Sequence, residues 1–356
     1  MRSHHKLALA CMLLFVGVPC SWAASKWYVR GKTGSDINDC KTARSACKTI
    51  GRAISLAFPG DSILVGAATY NETLSIALNL VIKGAGAKKT VVDAGHASSV
   101  LTVASGAVVA FSKITLQNGN SVSGAGVNNS GTLTLTACTI AENSVVTGRG
   151  PAEGGGIRND GSLTIEDSTI TGNITHGQNG GSLGAGIYNT ASLVIRNSTI
   201  SGNRGNGQVA VGGGIYSSGS MLASSTTIAA NMGAPAGVSN SSGVAVIQNT
   251  ILDNSGANCD RSVTSNGYNL SSDNTCALEA AGDINSTKAQ LGSLQDNGGQ
   301  TETMALSSGS PAIDAGNPSG CADEHGHLLK KDQRGQPRPE KKGARCDMGA
   351  YELQSE

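Results

Sequence analysis

The chain has 356 residues, with 49 Gly, 8 Pro, 3% aromatic and 14% charged residues, and a formal net charge of +1. This composition excludes a core built on large rings, a collagen-like period and general disorder; it favours small and aliphatic side chains stacked in a repeat. Without Arg2 and Lys6 the balance becomes −1, so no basic surplus marks nucleic acid or an anionic membrane as partner.

Residues 1–24 pair an N-terminal Arg2 and Lys6 with an apolar run from Leu7 to Val18 and a small-residue end at Ser21-Trp22-Ala23-Ala24. That is the pattern of a cleaved secretory signal. The run is too short for a membrane-spanning helix, and no later segment qualifies. Export permits disulfides. Three cysteine pairs lie close together in irregular stretches, and we expect bonds between Cys40 and Cys47, Cys259 and Cys276, and Cys321 and Cys346. Cys138 sits alone in a regular position and reads as a small buried apolar side chain.

Residues 25–61 form an N-terminal cap. Ile50, Ala53, Ile54 and Ala57 recur at helical spacing, and Phe58-Pro59-Gly60-Asp61 stops that helix before a first strand at Ile63-Leu64-Val65. Residues 62–285 then carry the repeat. GAGVNNSGTLTLTACTIAEN (124–143), GGGIRNDGSLTIEDSTITGN (154–173), GAGIYNTASLVIRNSTISGN (184–203) and GGGIYSSGSMLASSTTIAAN (212–231) superimpose, and a shorter copy covers 237–254. Thirteen positions separate the apolar residue after the glycines from the Ile before the closing Asn, from Val127 and Ile140 to Val238 and Ile251. Steps of two within each copy mean strands, and the odd steps mark corners. An earlier copy runs through Val103, Val109, Phe111, Ile114 and Leu116, and a partial one through Leu74, Leu80 and Ile82.

Three short strands per repeat predict an all-β fold: a right-handed, single-stranded parallel β-helix with a short N-terminal capping helix and an irregular C-terminal cap at 286–356. Phe111, Leu135, Ile165, Ile195, Ala223 and Val246 should stack inside, as should Cys138, Ser168, Ser198 and Thr226. Asn129, Asn159, Asn189 and Asn240 form one corner column, and Asn143, Asn173, Asn203, Asn231 and Asn254 another. Stacked amides can bond from rung to rung, so both columns read as structural ladders, and the sequons at Asn173 and Asn197 belong to the repeat.

These residues carry a resemblance along nearly the whole chain after the leader. The opening WYVRGKTGSDINDCKTARSACKTIGRAISLAFPGDSILVGAATYNETLSI resembles the start of secreted bacterial β-helix proteins with the pectin-lyase-like fold. The repeats are similar to those of polymorphic outer-membrane-protein-like and adhesin-like β-helices. LGSLQDNGGQTETMALSSGSPAIDAGNP, DQRGQPRP and CDMGAYE resemble the end of choice-of-anchor Q proteins, with Met304 where relatives commonly carry His. The resemblance implies an exported protein and supplies no catalytic residue.

Polysaccharide lyases and hydrolases on such a fold need clustered or paired acids on an outer strand face. Here no acid stacks on an acid: Glu166 aligns with Thr136, Arg196 and Ser224, and Asp167 with Ala137, Asn197 and Ser225. Glu153 with Asp160 is the remaining catalytic pair, and only loop folding could bring the two together. The ADEHGH run (322–327) matches no structural zinc spacing. Asp314, Asp332, Arg334, Asp347 and Glu352 read as side chains that fix an irregular segment, with calcium as the alternative. One outward column suits ligand binding. Asn128, Arg158, Tyr188, Tyr216 and Ser239 follow the inward apolar residue on consecutive rungs, and Arg158, Tyr188 and Tyr216 would offer ring faces and a guanidinium to sugars. The connectors SVVTGRGPAE, ITHGQNGGSL and RGNGQVAV would wall one side of it. The sequence therefore favours an extracellular, cell-surface or periplasmic β-helix that binds a polysaccharide or cell-surface glycan without chemistry. The alternatives are a polysaccharide lyase, hydrolase or epimerase, and a purely structural or protein-binding β-helix.

Overall fold

A computed structural model of the chain describes residues 24–260 and 263–354; apart from Ala24, the expected signal lies outside the described residues. Apolar alternation winds the chain into three stacked parallel sheets. The longest has ten strands, from Lys26–Val29 to Val263–Ser265; a second has nine, from Ala68–Asn71 to Leu270–Ser271; the third has seven, from Leu74–Ile76 to Val238–Asn240. Equivalent residues pair rung on rung, as Leu133 with Leu163 and Ile165 with Ile195. Their side chains fill the coil in one continuous core from Trp27 to Leu278. This is the expected right-handed parallel β-helix.

The Asn columns work as ladders. Asn143 donates to Asn173 (2.9 Å), Asn173 to Asn203 (2.9 Å), Asn203 to Asn231 (2.9 Å) and Asn231 to Asn254 (3.0 Å). Asn258 extends the chain of amides by one more step. The other column links Asn129 to Asn159 and Asn159 to Asn189, then ends on the Ser217 hydroxyl. These bonds satisfy corner groups that would otherwise be buried without partners. The second glycine of each GxG lies beneath a ladder: a Cβ on Gly156 would stand 2.6 Å from the Gly186 carbonyl and 2.9 Å from the Asn173 amide.

Several expectations change in the structure. Leu101, not Val103, pairs with Val127, and Val103 takes the inward place of Asn129. In the last full rung Ala223 faces Ile247 and Ile228 faces Leu252, so Val246 points outward and Ile251 opposes Thr227. The corner between Asn240 and Ala245 is one residue longer than its counterpart between Ser217 and Met221. A one-residue slip moves every following side chain to the other face. The Ile50–Leu56 helix is present, capped by the Thr49 hydroxyl, with Ile50 and Ala53 buried. The strand Lys26–Val29 precedes that helix, however, and forms the outermost strand on Asp61–Val65. All three expected disulfides form, and Cys138 is free and buried. Burial pushes its thiol up to about 12.

The C-terminal segment is more than an end cover. Near the last turn Leu306, Ala312 and Met348 pack with Ile251 and Leu270. From there the segment runs back along the nine-stranded sheet as a strap. Thr301 bonds the Asp167 carbonyl, Gln333 bonds Thr169 and Thr199, and Arg338 bonds Asn197. At its far point Asp296 accepts from Lys88. The outward polar residues of that sheet are what the strap binds, so the segment follows the coil's length and does not sit only on its end.

Candidate functional site

The expected outward column forms as read. Asn128 pairs with Arg158, Arg158 with Tyr188, Tyr188 with Tyr216 and Tyr216 with Ser239. Ile157, Ile187 and Ile215 point inward and are fully buried, which turns Arg158, Tyr188 and Tyr216 outward to half-buried positions.

The connectors do more than border this column. Ser144–Thr147, Ala152–Glu153, Ile174–Leu183 and Arg204–Val211, with Asn120–Ser121, build a five-stranded fourth sheet, a flange on the coil. Its return strands stack Ser123, Glu153, Leu183 and Val211 in register. Each of these residues immediately precedes the first glycine of a repeat. Gly184 has φ +58° and a Cβ there would lie 2.1 Å from the Ile187 carbonyl, so only glycine allows the chain to turn this sharply from flange to coil. Wall and floor thus meet in a corner: Glu153 bonds Arg158, and the registers of the two sheets put Leu183 level with Tyr188 and Val211 level with Tyr216. Sequence reasoning missed Leu183 and Val211, although their fixed place before the glycines marks them.

The structure does bring Glu153 and Asp160 together, through one cation. Arg158 Nε donates to Asp160 Oδ2 at 2.7 Å; its Nη1 bonds Glu153 Oε2 and, at 3.1 Å, Ser123 Oγ. Thr190 Oγ1 donates to the other Asp160 oxygen at 2.7 Å. The Tyr188 phenol is pushed up to about 12, first by burial and then by the charge of Glu153.

The rings differ from a flat platform. Tyr188 and Tyr216 have centroids 5.3 Å apart and planes within 3°. Coplanar rings lying side by side would collide at that distance, so the two overlap as an offset stack. The Arg158 guanidinium lies 5.4 Å from the Tyr188 centroid. Tyr188 is therefore flanked by Arg158 and Tyr216, while the far face of Tyr216 has no ring or guanidinium against it among the described residues. The corner offers ring edges, phenolic hydroxyls and the apolar Leu183 and Val211.

Elsewhere the candidates are knit into packing. The Asp167 carboxyl is pushed up to about 6 by burial and by Glu166, beneath the strap. Of the group raised for calcium, Asp332 accepts from Arg334 and from the Glu352 amide, Glu352 from Arg338, and Asp347 from the amides of Asp314 and Leu353. Asp323 ties the ADEHGH turn by accepting from the amides of His325 and His327. Among the described residues no group of three or more His, Cys, Asp or Glu is placed to hold a metal ion, and no helix is long and apolar enough to cross a membrane. A cleft of about 620 Å³ separates Leu222 and Val246 from Asp323, His325 and Leu328. It is a seam between the C-terminal segment and the ten-stranded sheet, and none of Arg158, Tyr188 or Tyr216 lines it.

The match to a family model agrees with the fold. A family model described as right handed beta helix region matches residues 123–287. No curated protein matches the sequence. Among solved structures, the chain is similar to a pectin methylesterase mutant in complex with a hexasaccharide (13% identity, 70% of this chain and 71% of that one, TM-score 0.35). It is also similar to the pectin methylesterase PemA from Erwinia chrysanthemi (13%, 70% and 71%, 0.31). A third is the GH136 lacto-N-biosidase from Eubacterium ramulus (10%, 69% and 60%, 0.36).

Proposed function

We propose that this protein is an exported surface or matrix β-helix that holds glycan chains along the corner between flange and coil and does not cleave them. Three disulfides and the leader pattern at residues 1–24 support export. The observation that carries the binding reading is the Arg158, Tyr188 and Tyr216 column, repeated rung on rung beside a parallel wall. A linear polymer of similar rings matches such a translational repeat, and phenolic hydroxyls and ring edges supply what a sugar's hydroxyls and C–H surfaces need. Against chemistry, Glu153 and Asp160 each tie one oxygen to the same guanidinium and Asp160 gives its other to Thr190, whereas hydrolysis needs two carboxyls that reach opposite sides of a scissile bond.

Affinity electrophoresis through polysaccharide gels, followed by product analysis, tests the reading. Retardation without product, abolished in Tyr188→Ala with Tyr216→Ala, is expected. Shortened or unsaturated product would instead establish an enzyme, and retardation untouched by the double variant would remove the corner from the account.

A further inference from the structure

Resting on the glycan-binding reading, we infer that the corner selects neutral, equatorially linked pyranose chains and rejects polyuronates and other anionic glycans. The sequence alone would offer Arg158 to a sugar carboxylate. The structure ties three of its five N–H donors to neighbours, two of them acids. Its Nε is taken by Asp160, and its Nη1 by Glu153 and Ser123. One positive charge faces two negative ones, so this end of the corner carries net charge −1. Side-chain exposures of 27% for Arg158, 16% for Glu153 and 31% for Asp160 keep the cluster partly shielded from solvent, where charges are felt more strongly than in bulk water.

The rungs that follow are lined by uncharged side chains as far as Tyr216, beyond which Ser239 bonds the Asp260 carboxylate. Leu183 and Val211 follow Glu153 along the wall, and Tyr188 and Tyr216 follow Arg158 along the floor. A uronate entering here would have to break the Arg158 ion pairs or lie against two carboxylates. A neutral pyranose with equatorial linkages keeps a flat C–H face for the exposed ring edges of Tyr188 and Tyr216 and for Leu183 and Val211. Its hydroxyls can donate to Glu153 and Asp160 and accept from the Tyr216 phenol, since charged acceptors make strong hydrogen bonds with neutral donors.

The test runs the folded protein, lacking only its leader, through gels of neutral β-linked glucan or mannan and of polygalacturonate or alginate, at low and moderate salt. Neutral gels should retard it with little salt dependence. Retention in polyuronate should be weaker by roughly tenfold, the scale set by one nearby like charge near a protein surface. Glu153→Gln with Asp160→Asn frees the guanidinium and should raise polyuronate retention in a salt-sensitive way; a circular dichroism melt verifies that the variant is folded. Should that variant not fold, the wild-type comparison decides alone. Stronger wild-type retention in polyuronate that disappears in Tyr188→Ala with Tyr216→Ala would overturn the neutral-glycan inference and leave the binding reading standing. No retardation in any of these gels would sink the inference together with the reading beneath it.

Discussion

Substituting Asn173 by Ala removes the centre of the longer amide ladder. Asn173 accepts from the Asn143 backbone N–H (3.1 Å) and the Asn143 side-chain amide (2.9 Å), and donates to Asn203 Oδ1 (2.9 Å) and the Ile140 carbonyl (3.0 Å). The Asn143 amide keeps the Leu116 carbonyl, but its backbone N–H loses its partner in a site closed to water. An orphaned buried donor costs about 2 kcal/mol, and the three other lost bonds about 1 kcal/mol each before relaxation. The expected loss is therefore at most about 5 kcal/mol, read from urea unfolding as a lower midpoint. Because the ladder continues on both sides, a simultaneous fall in the slope would mean that the two halves of the coil had begun to unfold separately. Asn179→Ala, at an exposed flange tip where the amide bonds only the Gly148 carbonyl, should cost no more than about 0.5 kcal/mol. A loss at Asn173 no larger than at Asn179 would refute the view that the ladders hold the corners.

Two further outcomes follow from buried ionisable groups. The fully buried Glu352 carboxyl is raised from 4.5 to about 7, mainly by burial, with Arg338 opposing and Asp347 assisting. The folded state then keeps a proton that the unfolded chain releases, so the stabilisation is complete below about pH 4.5 and is lost as pH rises through about 7, a span of about 3 kcal/mol. Melts at pH 5 and pH 8 should show the strap region more stable at the lower pH, and Glu352→Gln should flatten the difference; an opposite slope that vanishes in the same variant would contradict the sign. Cys138, fully buried with its thiol near 12, should resist alkylation in the native protein at pH 8 and react only on unfolding, as mass spectrometry would report.

How much of this was legible in the sequence depended on contact distance. Rungs bond to their neighbours about one repeat away, so the pairings are written as the spacing of Ile157, Ile187 and Ile215, the Asn columns and the paired glycines. The outward Arg158, Tyr188 and Tyr216 column followed from the same alternation. Repetition failed where a rung departed from it: one added residue before Ala245 moved Val246 outward, and only bonded register reveals such a slip.

The candidate site was half legible. That Arg158, Tyr188 and Tyr216 share a face is a property of the repeat. That Glu153 and Asp160 both close on Arg158, and that Tyr188 overlaps Tyr216, depends on how the connectors fold back as strands and how side chains settle across the corner. The strap lies further still from any local pattern. Thr169 bonds Glu302 and Asn197 bonds Arg338 across more than a hundred residues, between partners that share no period. The coil, its ladders and the residues facing outward follow from local spacing, because those interactions recur between adjacent copies. Tertiary structure decided the course of the C-terminal strap and the charge state of the corner, because these arise from single, unrepeated meetings of distant side chains.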